Sequence, residues 1–564
     1  MSKKIQVLRK KFKKYNIDGY IIPKNDEYFT EYSKINRLKI ISNFSGSAGI
    51  AIILKNKNYL FTDGRYTIQS QIECGKSFKI IDYEKIYNCS LFKNLTLGID
   101  PQLFTHNQIN NFFKKKTKIK YISNNLIDEI ERKKIINNSS FFSLNKNIVG
   151  ERHTTKIGKI SKFLKKIKSD YLFVSAPENV AWVLNIRGND SPNSPIPNCR
   201  LIISSTKKIF LISKIHKVKK LINDNIISLN NFIDIDDFPK EILRFRGNNF
   251  IIDNKSCSIY YQNIINSKFK ILKKEDPIYH LKAIKNRTEI KHMINAHILD
   301  GVALTKFIYW IKKVNNKKIT EVQAQDKLEK FRKKNKKYLY PSFDTIAGSG
   351  KNGAIVHYRA NKKNCKIIRK KDIFLCDSGG QYKYGTTDVT RTICFSKPRS
   401  HIRNIFTKVL KGHIAVATTN LIKDKTGKKI DYRARKFLKK DNLDYAHGTG
   451  HGVGFFLNVH EGPQSISKFN NIRLKEGMIL SNEPGYYKKN RFGIRIENLI
   501  YVKKENKKIF FKNLTLAPIE KELTNFKLLT PLEKDYLFKY HIYVYKKLSK
   551  YLALKERKWL ASFI

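Results

Sequence analysis

The chain has 564 residues, 41% apolar and 12% aromatic, and its 112 Lys and Arg against 47 Asp and Glu give a formal charge of +65. Such a composition builds folded domains with sizeable cores and excludes a disordered tail. No uncharged apolar run reaches the roughly 18 residues of a membrane span, since the longest, Ile40 to Leu54, is broken by Ser, Asn and Gly.

The basic N-terminal segment lacks the apolar stretch of a signal peptide. Seven cysteines with no CxxC pair exclude a disulfide framework. A soluble protein of a reducing cytoplasm, with no membrane partner, is expected. The basic charge is spread along the chain, and its densest stretches, Lys114 to Lys120 and Arg332 to Lys337, are short and far apart. It therefore reads as compositional drift, with weak, salt-sensitive contacts to nucleic acid and no specific site for it.

From the N-terminus, Gly19–Pro23, Gly49–Leu54 and Tyr59–Thr62 are apolar strand-like runs between Lys-rich helical stretches, an α/β pattern. Polar patches at Asn137–Ser140 and Asn145–Asn147 read as a linker. A second α/β stretch carries strands at Tyr171–Val174, Leu201–Ile203 and Ile209–Ile212 and runs out at Asp276-Pro277. Asn286-Arg-Thr288 then offers a cap for a helix whose Ile290, Met293, Ile294, His297, Gly301, Leu304, Thr305 and Ile308 recur at helical spacing. Strand-rich, glycine-rich sequence follows. A last helix spans Leu532 to Leu548, with Thr530 as N-cap and Pro531 at its first position.

The chemistry gathers in the glycine-rich part. Asp377 ends the apolar run Ile373–Cys376, and Asp388 precedes Val389–Ile393. A hairpin through Gly379, Gly380 and Gly385 would set the two carboxylates side by side, an arrangement that needs a cation. In His447-Gly-Thr-Gly-His451-Gly-Val-Gly454, followed by His460-Glu461-Gly-Pro463, the interleaved glycines argue against a helix and for backbone packed against a ligand or a neighbouring strand. Glu483 closes an apolar strand. Glu497 lies within Gly493–Ile500, on the face shared with Arg495 and opposite Ile494 and Ile496. Two Asp, two Glu and one His make a hard ligand set suited to manganese or a similar divalent ion. Four carboxylates suit two metals bridged by a hydroxide that attacks a carbonyl.

The segments DSGGQYKYGTTDVTRT, HGTGHGVGFFLNVHEGP, NEPGYY and GIRIEN resemble the pita-bread metallopeptidases, the family of methionine aminopeptidase, prolidase and aminopeptidase P. Asn43–Gly49, Phe61–Tyr66, Asn179–Gly188, Ser342–Gly350 and Ile355–Tyr358 look like the aminopeptidase P branch, and the C-terminal tail is similar to its long, three-domain form. The resemblance implies an α/β and α+β architecture: two creatinase-like α/β domains over 1–145 and 146–281, a pita-bread catalytic domain over 282–503 and a C-terminal extension over 504–564. It implies that Asp377, Asp388, His451, Glu483 and Glu497 hold two divalent metal ions, most simply manganese, with Asp388 and Glu497 touching both. It further implies His357 and His460 as substrate-binding and proton-moving residues, Glu483 as the acceptor of the water proton, His451 near the substrate, and Arg65 as a substrate-binding arginine. His447 has no ligand counterpart. Tyr384 departs from the usual acid before Gly-Thr-Thr-Asp, so altered local packing is expected there. The implied activity is removal of the N-terminal residue from peptides with proline second, by a cytoplasmic homodimer. The alternatives are a prolidase-type dipeptidase and a non-catalytic protein that binds RNA or ribosomes.

Overall fold

The computed structural model describes residues 3–87, 89–113, 117–131, 139–314, 318–363 and 365–564, so Lys114–Lys116 of one basic stretch and Asn137–Asn138 of the expected linker lie outside it. The chain divides into two units, residues 1–279 and 280–564.

Two six-stranded sheets organise the first unit. One runs in the spatial order Lys79–Asp82, Asn58–Thr62, Ile50–Leu54, Gly19–Pro23, Thr96–Ile99, Lys118–Tyr121. The other runs Phe232–Asp234, Ile209–Ser213, Arg200–Ser204, Tyr171–Val174, Asn249–Ile252, Lys270–Lys273. The central strands are buried along their whole length, which is why they read as unbroken apolar runs rather than alternating ones. The expected linker at Asn145–Asn147 is instead structured. Phe142–Ser143 pairs with Ile186–Arg187, and Asn145 is the cap of the short helix Lys146–Val149. Burial of Phe141, Leu144 and Val149 outweighs the polar residues between them.

The second unit opens with the helix Arg287–Val314. The Asn286 side chain accepts from the amides of Thr288 and Glu289, and Glu289 accepts from the Asn286 amide. This is the reciprocal cap that the sequence suggests. Antiparallel strands follow in a three-stranded sheet (Ile346–Ser349, Ile373–Ser378, Val389–Cys394) and a five-stranded one (Glu461–Ile466, Gly450–Gly452, Ile479–Asn482, Asn498–Glu505, Lys508–Asn513). The last helix is Pro531–Leu548, with Thr530 and Glu533 closing its capping box. Its Leu537, Tyr540, Val544 and Leu548 share one hydrophobic cluster with Phe406, Leu410, Ile494 and Ile496. The residues after 504 therefore pack into the same core as the strands that carry the acids.

Two buried histidines make this core sensitive to acid. Burial, reinforced by the Arg391 charge, lowers both His413 and His541 to about 3. Both stay neutral when folded, yet each would protonate near 6.5 in the unfolded chain. Their contribution is complete above that value and is lost progressively as the pH falls from 6.5 toward 3. Between pH 7 and pH 5 each should remove about 2 kcal/mol of stability. Melting curves of wild type and His541→Gln at the two pH values check this. The variant should lose less on acidification, and an equal loss rules out His541 as a contributor.

Candidate metal centre

Strands Ile373–Ser378 and Val389–Cys394 pair antiparallel, with Asp377 opposite Thr390 and Ser378 opposite Val389. This register carries Asp377 and Asp388 to one end of the pair, as expected from sequence, but not through a single hairpin. The residues between them leave to form the small strands Gly380–Tyr382 and Gly385–Thr386 of a separate sheet with Tyr338–Pro341.

His451 sits on the strand Gly450–Gly452, between Glu461–Ile466 and Ile479–Asn482, and the glycines beside it explain its approach. A Cβ on Gly450 would lie 1.9 Å from the Ser481 carbonyl oxygen, and one on Gly452 would lie 2.3 Å from that of Glu461. His451 Nε2 is 3.4 Å from Asp388 Oδ2 and 3.5 Å from Glu483 Oε1. Its amide donates to Ser481 Oγ, which in turn donates to Glu483 Oε1. The expected strand Gly493–Ile500 is interrupted. The ladders end at Arg495 and resume at Asn498, and Glu497 stands in the gap, where Thr390 Oγ1 donates to its Oε2 at 2.7 Å. The inferred faces still hold, because Ile494 and Ile496 enter the core while Arg495 and Glu497 both bond the Thr390 hydroxyl.

One ligand atom each from Asp388, His451 and Glu497 lie within 4.8 Å of one another. Asp377 borders them. Its Oδ2 accepts from Arg495 Nη2 at 2.6 Å, and its Oδ1 is buried with no hydrogen-bond partner. Burial pushes Asp377 up to about 6, with Asp388 and Glu483 adding to the rise and Arg495 opposing it. Burial raises Glu483 and Glu497 as well, and the neighbouring carboxylates raise them further. Burial alone would lower His451, but Asp388 and Glu483 hold it up at about 9. Buried carboxylates that repel one another, with an unpartnered oxygen and an imidazole among them, fit a hard divalent cation.

His460 packs edge-on against His451, with ring centroids 4.3 Å apart. The next residue, Glu461, is gripped by Lys285 and by Lys282 at 3.2 Å, all three side chains being buried. His357 is half-buried, and its segment forms no strand. Ile355 and Tyr358 bond back to the carbonyls of Asn352 and Ile355, and the Tyr358 hydroxyl donates to Glu321, which curls the segment into successive turns. Arg65 lies in the first unit, its guanidinium held by both carboxylate oxygens of Asp63. Tyr384 packs against the rings of His292 and Phe456.

His447 bonds the Tyr487 hydroxyl at 2.9 Å, and Arg495 Nη1 donates to the same hydroxyl at 2.6 Å. His447 is thus linked to Asp377 through Tyr487 and Arg495. Arg495 and Tyr487 received no role from sequence. The signal available for Arg495 was a lone cation on the face of Glu497. A second group, Cys394, Glu520 and Glu522, already holds an ammonium, that of Lys312 at 2.6 Å from Glu520.

Fold and site are those of a metallopeptidase. The profile of Metallopeptidase family M24 matches residues 291–504, the Creatinase/Prolidase N-terminal domain matches twice, at 4–130 and 131–289, and the C-terminal region of peptidase M24 matches 508–562. "Probable Xaa-Pro aminopeptidase P" of Laccaria bicolor is 36% identical over 99% of this chain and 92% of its own length. "Xaa-Pro aminopeptidase 1" of Dictyostelium discoideum is 36% identical over 96% and 92%. The X-prolyl aminopeptidase of Caenorhabditis elegans, described as a cytosolic enzyme with a di-nuclear active site, superposes with a TM-score of 0.91 at 28% identity, covering 100% of this chain and 99% of its own. The prolidase of Pyrococcus horikoshii, 26% identical with a TM-score of 0.53, covers 65% of this chain and 99% of its own. The chain belongs to the Xaa-Pro aminopeptidase branch of metallopeptidase family M24.

Proposed function

We propose that the chain is a manganese-dependent aminopeptidase of the cytoplasm that releases the N-terminal residue from peptides with proline in second place. The observation that carries this reading is the convergence of Asp388, His451 and Glu497, in a chain that aligns end to end with Xaa-Pro aminopeptidases. A prolidase leaves a third of the chain unmatched, which disfavours the dipeptidase reading. The intact acid and histidine set disfavours a non-catalytic RNA-binding role. Among the described residues no helix is long and apolar enough to cross a membrane, and all seven cysteines are free, which supports the cytoplasmic placement. The homodimer rests on the family resemblance.

In this reading Asp377, Asp388, His451, Glu483 and Glu497 would hold two divalent ions. When bound, the ions supply a Lewis acid for the scissile carbonyl and lower the pKa of the attacking water. Glu483, oriented by the Ser481 hydroxyl, accepts the water proton. His460, set by its edge-on contact with His451, and His357 contact the substrate and move protons, while Arg65 binds substrate. The proline nitrogen is a poor leaving group until protonated, so one of these groups must act as general acid.

Proline presents no amide hydrogen at the scissile bond, and its ring fixes φ near −65°. Alanine in its place adds a donor the site has no need to accept and loses the ring contacts. The mismatch costs about 1–3 kcal/mol, or roughly ten- to a hundredfold in rate. Kinetics of the manganese-loaded protein on matched Xaa-Pro and Xaa-Ala peptides test the reading, and equal cleavage rejects it. In the same assay His357→Ala should lower turnover with little change in metal content or melting temperature. Normal turnover would return His357 to a structural role.

A further inference from the structure

The backbone of Glu497 lies in a break between two ladders. What replaces the ladder is Arg391, on strand Val389–Cys394 and three residues beyond Asp388. Its Nη1 donates to the Glu497 carbonyl at 2.6 Å and to that of Thr390 at 2.8 Å. The Glu497 amide bonds back to the same Thr390 carbonyl, and the Thr390 hydroxyl holds the Glu497 carboxylate. Backbone and side chain of Glu497 are therefore fixed by two consecutive residues of a neighbouring strand.

The other donors of Arg391 point into the C-terminal segment. Nε reaches the Pro518 carbonyl at 3.0 Å, and Nη2 reaches the Ala517 carbonyl at 2.9 Å, Asn498 Oδ1 at 2.8 Å and the Tyr540 hydroxyl at 3.0 Å. Tyr540, buried on the helix Pro531–Leu548, passes its own proton to the Ala517 carbonyl at 2.8 Å. Every acceptor of this buried guanidinium is neutral. Its charge is left to act on the nearby carboxylates rather than being cancelled by a paired acid, and its direction is set by contacts that the segment after residue 508 supplies.

We propose that Arg391 and Tyr540 are positioning residues that tie the C-terminal segment to Glu497, so that this segment sets how tightly the centre holds its metal. The proposal rests on the reading of Glu497 as a metal ligand. The helix has no need of Tyr540 for packing alone, since its ring is shared with phenylalanine. The hydroxyl is what orients Arg391.

The test is manganese binding to metal-stripped full-length protein, followed by calorimetry, for Tyr540→Phe, Arg391→Lys, Glu497→Gln and Tyr536→Phe. The last is the control: it removes a hydroxyl from the same helix that accepts from Asn513 and makes no bond with Arg391. Tyr540→Phe and Arg391→Lys should each weaken manganese binding about 10- to 100-fold, the range seen when partners behind a metal ligand are removed. Excess manganese should restore turnover in Tyr540→Phe with KM unchanged. Tyr536→Phe should bind as wild type even if its melting temperature falls equally. Unchanged affinity in both Tyr540→Phe and Arg391→Lys, beside a weakened Glu497→Gln, overturns the proposal alone. Unchanged affinity in Glu497→Gln overturns the ligand reading and the proposal with it.

Discussion

Asp388→Asn is expected to abolish turnover while leaving the metal-free chain about as stable as wild type. The two effects have one cause. Asp388 raises the proton affinity of Asp377, Glu483 and Glu497 by like-charge repulsion, and its attraction to His451 offsets part of that cost in the centre without metal. Replacing it by a neutral amide of the same shape relieves that repulsion and gives up that attraction. With metal present the loss dominates, because a carboxylate proposed to hold the ions is gone. A loss of at least a thousandfold in kcat, about 4 kcal/mol of transition-state stabilisation, is expected. The rise in melting temperature that manganese gives the wild type should shrink as well. Full turnover in a metal-replete Asp388→Asn preparation would remove Asp388 from the centre.

Gly450→Ala should cripple the protein, whereas Gly448→Ala, two residues away in the same motif, should be nearly silent. At Gly450 the new methyl would sit 1.9 Å from the Ser481 carbonyl oxygen and 2.8 Å from its carbon, both backbone atoms of the adjacent strand. Neither can rotate aside, so the two strands must part. At Gly448 the nearest atoms are 3.5 Å away, an ordinary contact. Forced separation in a packed sheet costs about 3 kcal/mol, which for a unit of this size lowers the melting temperature by about 5 °C. Turnover should fall with it, because Ser481 bonds both His451 and Glu483. Equal melting temperatures for the two variants would contradict the strand packing described above.

These two glycines also mark how far the sequence could be read. Interleaved glycines around His451 disclosed a close backbone approach, but not that Gly450 meets a neighbour and Gly448 does not. That difference depends on which strand lies alongside. The four acids were legible because each stands at the end of, or beside, an apolar run, where an uncompensated charge is costly, and His451 was legible by the glycines around it. Strand positions in the first unit were legible for a similar reason, since a strand buried on both faces is apolar throughout. Polar composition misled at Asn145–Asn147, where flanking Phe141, Leu144 and Val149 decide the structure.

The sequence by itself determined the class of chemistry, because hard ligands, their number and their glycine-rich surroundings are local properties of the chain. Only the tertiary structure decided what holds those ligands in place. Arg495 reaches Asp377 across 118 positions, and Arg391 reaches Tyr540 across 149. Pairings at such separations follow from sheet register and from the packing of the last helix into the shared core. Neither leaves a periodic trace in the order of residues, because each is set by where two distant backbones come to rest.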